Sequence, residues 1–495
     1  MALPLRRPSP EEPQSTAPAR TPPAPDTPEP PQPKRLARAI SLAIALIIWF
    51  IPPPGGLSAQ AWHLFAIFAA TILSVVIGAF PILTASVFAV AASVLTRTLS
   101  AEEAYDSFAN PTIVLIIVAF LVARAVVKCG LGQRLGYRAI SWFGKSTLGL
   151  SYSIFGVDAV ISPAFPSNTA RSGVLYPLVF SMAEAAGATP DRHDRRRLGQ
   201  FLMFSGMASL SLSSALWLTA MAGNPLGAEI AKKNGVNIGF GSWLVASAVP
   251  TILAMALVPL VLYKIIKPEV TAMPEAPADA RRKLAELGPL TRDQKIVGLT
   301  FLGMVVLWGL ASTLHIDPTA VAFLGLGVML ATNVLTLGDI AHEGDVLATF
   351  IWFASLFTLS SQLNKLGFME YVGDRLATAL GGFPVLAAAV VLLIAYVLLH
   401  YLFVSQTAHL LALFGVFLGV GVKLGASPSI LAFQLLFATN YFAAITPQAS
   451  SANLLFAGSG YLSQGQLYRL GALHTAFCLL LYLVVGTGWI WLVAR

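Results

Sequence analysis

Apolar residues in this chain come in long blocks. They show neither the alternation of half-exposed strands nor the single stripe of a surface helix. Blocks run at Leu36–Ile51, Ala61–Phe80, Ile82–Leu95, Asn110–Val127, Tyr137–Phe155, Val174–Ala186, Leu198–Ala222 and Trp243–Ile266. A second series follows at Val297–Ala311, Ala320–Thr336, Val346–Leu363, Val385–Phe403, Leu411–Val422, Ile430–Ala444 and Leu470–Val493. Many approach the roughly 18–20 residues that carry a helix across a bilayer. The short alternating segments of a membrane β-barrel are missing. Lipid satisfies no backbone N–H or C=O, so helices are the spanning element. The expected fold class is an all-α polytopic membrane protein.

Two stretches interrupt the pattern. Residues 1–35 are rich in Pro, Ser, Ala and Thr and carry both charge signs, which predicts a disordered tail. They lack the apolar core of a cleavable signal peptide. Residues 267–295 are polar and hold Arg281, Arg282, Lys283 and Arg292, as a linker would. The expected organisation is a tail (1–35), a first membrane half (36–266), a polar cytoplasmic linker (267–295) and a second membrane half (296–495).

The halves resemble each other. The segment starting TIVLIIVAF at Thr112 aligns with TFIWFASLF at Thr349. Lys128, Gly130, Gly136 and Arg138 then match Lys365, Gly367, Gly373 and Arg375 at a single offset. One residue of slippage later, FPSNTA at Phe165 aligns with FVSQTA at Phe403. Internal repeats in a membrane protein point to a transporter built from two related bundles. The loop after the first motif is basic (Arg192, Arg195, Arg196 and Arg197), whereas its counterpart near Lys423 is almost uncharged. Equivalent loops of opposite charge character belong on opposite faces, so the repeats are expected to be inverted, with the basic loop and linker cytoplasmic.

Composition supports this picture. Hydrophobic residues make up 56% and charged residues 11%, against about 25% charged in soluble domains. The net charge of +8 sits in tails and loops. It therefore reads as membrane orientation rather than nucleic-acid binding. Cys129 and Cys478 lie in apolar stretches and fit no metal or disulfide spacing. No Walker or G-x-S-x-G motif appears, and His342-Glu343 lacks the second histidine of a zinc-protease helix. No enzyme is indicated and no cofactor is implied.

The candidate chemistry sits in the two repeated polar motifs. In Ser162–Gly173, two prolines precede Ser167-Asn168-Thr169. Proline breaks the helical ladder and Ser caps the next helix, so a half-helix is expected to start near Ser167. Its free N–H groups and positive dipole end suit an anion. Ser405-Gln406-Thr407 repeats the arrangement, and two such tips would grip both ends of a dicarboxylate. A second polar interruption follows each motif, at Leu218–Pro225 with Thr219 and at Ile445–Ser451 with Thr446 and Pro447. Its carbonyls offer oxygen ligands for Na⁺ or complete the substrate pocket. Arg171, one turn into the first half-helix, either balances substrate charge or is structurally paired. His409 takes its place in the second repeat, as a pH-sensitive group or a satisfied core histidine. Asp158 is either a proton-coupling acid or a partner for Arg138 or Arg171.

These residues resemble the divalent anion:sodium symporter family, in its citrate/succinate and 2-oxoglutarate/malate exchanger branch. The resemblance is carried by FANPTIVLIIVAFLVARAVVKCGLG from Phe108, SNTARSGVLYPL from Ser167, LTAMAGNPL from Leu218, ELGPLTRDQK from Glu286 and FAGSGYLSQGQ from Phe456. It covers nearly everything after residue 36. It implies a homodimer in the inner membrane and an elevator mechanism, in which a transport domain slides against a scaffold. It also implies two re-entrant hairpins, expected at Asn110–Lys128 and Thr349–Lys365. Substrate contacts would fall on Ser167, Asn168, Thr169, Ser405, Gln406, Thr407, Thr219, Thr446 and Pro447, with Asn168 a candidate Na⁺ ligand. Sodium-coupled members carry Ser-Asn-Thr in both halves. Here Gln406 replaces the second Asn, and Pro163 stands where a sodium-site hydroxyl is expected. Both departures favour di- or tricarboxylate exchange over a Na⁺- or H⁺-coupled carboxylate or sulfate symporter. Expected partners are a small organic dianion and the lipid bilayer, without nucleic acid.

Overall fold

A computed structural model describes residues 34–190 and 195–494. The Pro-rich segment, apart from its last two residues, and most of Asp191–Arg197 lie outside that range. Among the described residues the structure is helical, and those from 35 to 494 form one compact unit. Eight helices among the described residues are long and apolar enough to cross a membrane.

The repeat is visible element by element. A crossing helix, Pro111–Lys128, matches a second, Gly344–Lys365. Each ends at a glycine in the left-handed region, Gly130 (φ 69°) and Gly367 (φ 80°), a conformation costly for any residue with a Cβ. Each glycine opens an amphipathic surface helix of 13 residues, Leu131–Phe143 and Phe368–Leu380. Next come two helices of 15 residues, Thr147–Ile161 and Val385–Leu399, each ending in a single 3₁₀ turn. The chain then turns back into Asn168–Ala185 or Gln406–Lys423. The predicted span Tyr137–Phe155 is therefore two helices, because Gly144 closes the first and Ser146 caps the second through Gly149 N.

The fold-back makes each pair a hairpin. In the second, Val385 lies against Gly425 and Leu392 against Gly421, so the arms are antiparallel. In the first, Leu150 and Ala186 line one cavity at the hairpin base. The re-entrant elements are these pairs, and not Asn110–Lys128 and Thr349–Lys365, which are uninterrupted helices. Neither run contains a proline beyond its first turn, and both stay helical throughout. The break falls where Pro163 and Pro166, or Ser405, interrupt the chain.

The hairpins enter from opposite ends of the bundle. The first is anchored to the linker, with Thr147 N donating to Thr271 O (3.1 Å) and Met273 N to Lys145 O (2.9 Å). Arg134 of the adjoining surface helix donates to the carbonyls of Leu287, Gly288 and Pro289. The base of the second hairpin, at Lys423, pairs with Asp374 of the other surface helix. The crossing helices run antiparallel between these ends. Lys128 meets Asp339 at the linker end, and Lys365 meets Asp106 at the other. The repeats are thus inverted.

An interrupted helix follows each hairpin: Arg196–Leu216 with Gly223–Lys233, and Pro428–Tyr441 with Asn453–Ala457. The same residue type closes both breaks. Asn224 Nδ2 donates to Ser214 O (2.9 Å) and Trp217 O (3.3 Å). Asn453 Nδ2 donates to Ala443 O (2.7 Å) and Thr446 O (3.0 Å), at the same sequence separations. The two interrupted helices join through Asn440 Nδ2, which donates to Asn224 Oδ1 (2.8 Å). Around the first break, Trp243 Nε1 and Ser247 Oγ of the helix Phe240–Ile266 satisfy the freed carbonyls of Ala215 and Leu216. Every polar backbone group so exposed needs such a partner in lipid.

Candidate functional site

The hairpin tips meet. Ser167 caps Asn168–Ala185 by accepting from Ala170 N (3.1 Å), and Ser405 caps the matching arm by accepting from Ala408 N (3.3 Å). Each capping oxygen satisfies one first-turn donor. The N–H groups of Asn168, Thr169, Gln406 and Thr407 have no protein acceptor among the described residues. These four donors and two positive helix ends face each other across a cavity of about 430 Å³. Its wall includes Ser167-Asn168-Thr169, Ser405-Gln406-Thr407, Ser450 and Ser451, with Trp352 and Phe353 of the second crossing helix. The cavity reaches Arg124 and Glu343, so it opens at the linker end of the bundle.

Side-chain amides lock the tips together. Asn168 Nδ2 donates to Gln406 Oε1 (3.0 Å), and Gln406 Nε2 to Thr439 O (2.8 Å). Thr169 Oγ1 and Ser451 Oγ are hydrogen-bonded at 2.5 Å. The first break is tied to the first tip through Thr219 Oγ1, which donates to Pro163 O (2.9 Å), and Ala222 N, which donates to Pro166 O (2.8 Å). Thr219, Thr446 and Pro447 stand behind the cavity rather than on its wall. Thr446 O accepts from Asn453, and Pro447 occupies the turn beside it.

Arg171 is fully buried beneath the first tip, off the cavity wall. One Nη donates to Asn168 Oδ1 (2.7 Å), Leu210 O (2.9 Å) and Ser214 Oγ (2.6 Å). Its Nε lies 3.5 Å from Asp158 Oδ1, and Ser213 Oγ donates to Asp158 Oδ2 (2.5 Å). Asp158 is thus the counter-ion of Arg171 and not of Arg138, which stacks on Trp142. His409 holds the matching place beneath the second tip, also buried and off the wall. Its Nδ1 is 3.2 Å from His400 Nδ1, and its ring packs among Tyr396, Phe403 and Phe442.

Sequence reasoning missed Arg124, Glu343 and Asp345, and named Ser451 only as the end of the second polar interruption. Arg124 was legible as a cation inside the apolar run FLVARAVVK. Its acidic neighbours lie in the polar stretch that opens the second crossing helix, where nothing local separates a cavity residue from a solvated one.

Two opposed hairpins with a polar cavity at their tips define a membrane transport protein, not an enzyme. The family described as sodium:sulfate symporter transmembrane region matches residues 32–494, and the chain belongs to it. It is a multi-pass inner-membrane protein. YflS of Bacillus subtilis, named as a candidate malate transporter, is 40% identical over 91% of this chain and 95% of its own. Spinacia oleracea dicarboxylate transporter 2, chloroplastic, is 36% identical over 92% and 82%. Among solved structures, MtrF of Neisseria gonorrhoeae superposes with a TM-score of 0.57 at 14% identity, covering 91% of this chain and 97% of MtrF. The YdaH transporter of Alcanivorax borkumensis gives 0.55 at 17%, covering 80% and 89%. These likenesses establish the fold.

Proposed function

We propose that this chain transports dicarboxylates of the malate, succinate and 2-oxoglutarate class across the inner membrane, exchanging one for another. One observation carries the reading: four unpaired first-turn N–H groups converge from two helix ends on one cavity, with Ser167 and Ser405 at the tips. Two separated donor clusters suit a substrate with a carboxylate at each end. The names of the relatives point to the same substrate class.

The exchange mode rests on what lies beneath each tip. Asn168 Oδ1, the candidate Na⁺ ligand, already accepts from the Arg171 guanidinium and from Ser214. A sodium ion there would sit beside a fixed positive charge, so these residues do not fit one. Arg171, paired with Asp158, holds a guanidinium permanently on the oxygen that a coupled cation would bind and leave. A carrier with no cation to load draws on no Na⁺ gradient and moves one anion against another, which is exchange.

The linker end is the cytoplasmic one, because Arg134, Arg138, Lys145 and the basic linker gather there. The cavity therefore faces the cytoplasm. Elevator displacement of the hairpins and interrupted helices against the crossing helices, within a homodimer, would bring it to the other face.

Uptake of labelled malate, succinate, citrate and sulfate into proteoliposomes tests the substrate class. Saturable malate uptake that falls about ten-fold or more in Ser405→Ala is expected, since the substitution removes both a cap and a site hydroxyl. Sulfate uptake without carboxylate uptake would overturn the reading.

A further inference from the structure

Beyond the tips, three charged side chains among the described residues reach the cavity: Arg124, Glu343 and Asp345. Arg124 lies in the last turns of the first crossing helix, and Glu343 immediately precedes the second. Arg124 Nε is 2.9 Å from Glu343 Oε1. One turn further along the same helix, Lys128 Nζ pairs with Asp339 Oδ2 at 2.7 Å and donates to Val334 O. Both bridges run from the first crossing helix to the segment that leads into the second, Lys128 to the short helix Leu337–Ala341 and Arg124 to Glu343, but they face different surroundings. Arg124 and Glu343 are on the cavity wall, while Lys128 and Asp339 are off it.

Two features of the Arg124 bridge need a reason. Arg124 uses only Nε. Its two terminal nitrogens have no acceptor among the described residues, and 44% of the side chain is exposed. A guanidinium fork in that state matches an incoming carboxylate. The second feature is the acid itself. Glu343 and Asp345 on an anion path would repel the cargo unless balanced, and Arg124 is the cation on that wall.

We infer that Arg124 is the receiving group for substrate at the linker-end mouth, and that Glu343 is its resident competitor. A substrate carboxylate displaces Glu343 from Arg124, passes on to the hairpin tips, and Glu343 closes on Arg124 again. The inference rests on the carboxylate-transport reading and adds to it a specificity element outside the repeated motifs. It assigns the two partners of one bridge opposite effects. Losing Arg124 removes the receiver, whereas losing the Glu343 charge frees it.

The test is the malate KM measured separately at each membrane face, in proteoliposomes of uniform orientation. In Arg124→Gln the KM at the linker face should rise about three- to ten-fold, and its dependence on ionic strength should flatten. In Glu343→Gln the KM at that face should fall about two- to five-fold. Lys128→Gln should leave it unchanged. A damaged fold cannot mimic a lowered KM, so Glu343→Gln keeps the inference testable even if the Arg124 variant is poorly made. A KM raised in both Arg124→Gln and Glu343→Gln, or shifted equally at both faces, would show a purely structural bridge and overturn the inference alone. A wild type that moves no dicarboxylate would overturn it together with the reading beneath it.

Discussion

At the scale of residues, the site is organised by what is buried rather than by what is displayed. Arg171 is charged, fully enclosed and shared among Asp158, Asn168, Ser214 and Leu210 O. Removing one partner of a buried ion pair leaves an uncompensated charge, at a cost of about 3–5 kcal/mol. Asp158→Asn should therefore lower the detergent-solubilised melting temperature sharply, and unchanged melting would mean that the pair is not a structural unit. The nature of Arg171 was open in the sequence, because an arginine one turn past SNT reads equally as a substrate contact or a paired group. Its partner lies 13 residues back, across the hairpin turn, and only the fold brings the two together. Ser167 and Ser405 were legible as caps because the chemistry is local: a hydroxyl follows a break and precedes a helix.

At the scale of elements, the repeat was readable down to its glycines. The Gly130 and Gly367 match in sequence reflects one left-handed junction built twice. The hairpins were not placed correctly, since periodicity cannot tell a helix that crosses from an arm that turns back. Both are apolar runs of similar length, and only the paired contacts at Gly421 and Gly425 decide. The interrupted helices were visible as polar islands, but their closing residues were not singled out. Asn224 and Asn453 each satisfy two carbonyls that the break leaves free. Asn453→Ala should destabilise the protein by about 1–3 kcal/mol, the cost of buried acceptors left unpaired. The surface control Gln133→Ala should be near neutral; equal effects would deny Asn453 that role. Packing at the second break is equally close. A Cβ on Gly471 would lie 2.2 Å from Ala444 O, a backbone atom that cannot swing away. Gly471→Ala should therefore reduce the folded yield or the melting temperature, whereas Gly465→Ala, with open space around it on the same helix, should not.

At the scale of the whole molecule, two inverted hairpins bring their tips to one point and leave the cavity open at one end. The far end is closed where Lys233 of the first interrupted helix meets Ser361 and Phe357 of the second crossing helix. If the hairpins and interrupted helices move as a body, that contact must break in each cycle. Joining positions 233 and 361 with a short reducible thiol crosslinker, in a Cys129→Ser background, should block uptake, and reduction should restore it. Transport at the wild-type rate with the link intact would rule out that motion. Architecture at this scale was legible in outline from hydropathy, the linker and the loop charges. What was not legible was the convergence of Arg124 and Glu343, which are 219 residues apart, on the same cavity as the two motifs.

The central claim is that the buried Arg171 guanidinium takes the place of a coupled cation, and coupling is what tests it. Labelled malate uptake should be measured in proteoliposomes with and without an inward Na⁺ gradient, and with and without unlabelled dicarboxylate inside. Uptake that requires internal dicarboxylate and ignores Na⁺ is the predicted result. Uptake that requires Na⁺ and proceeds into carboxylate-free vesicles would contradict it.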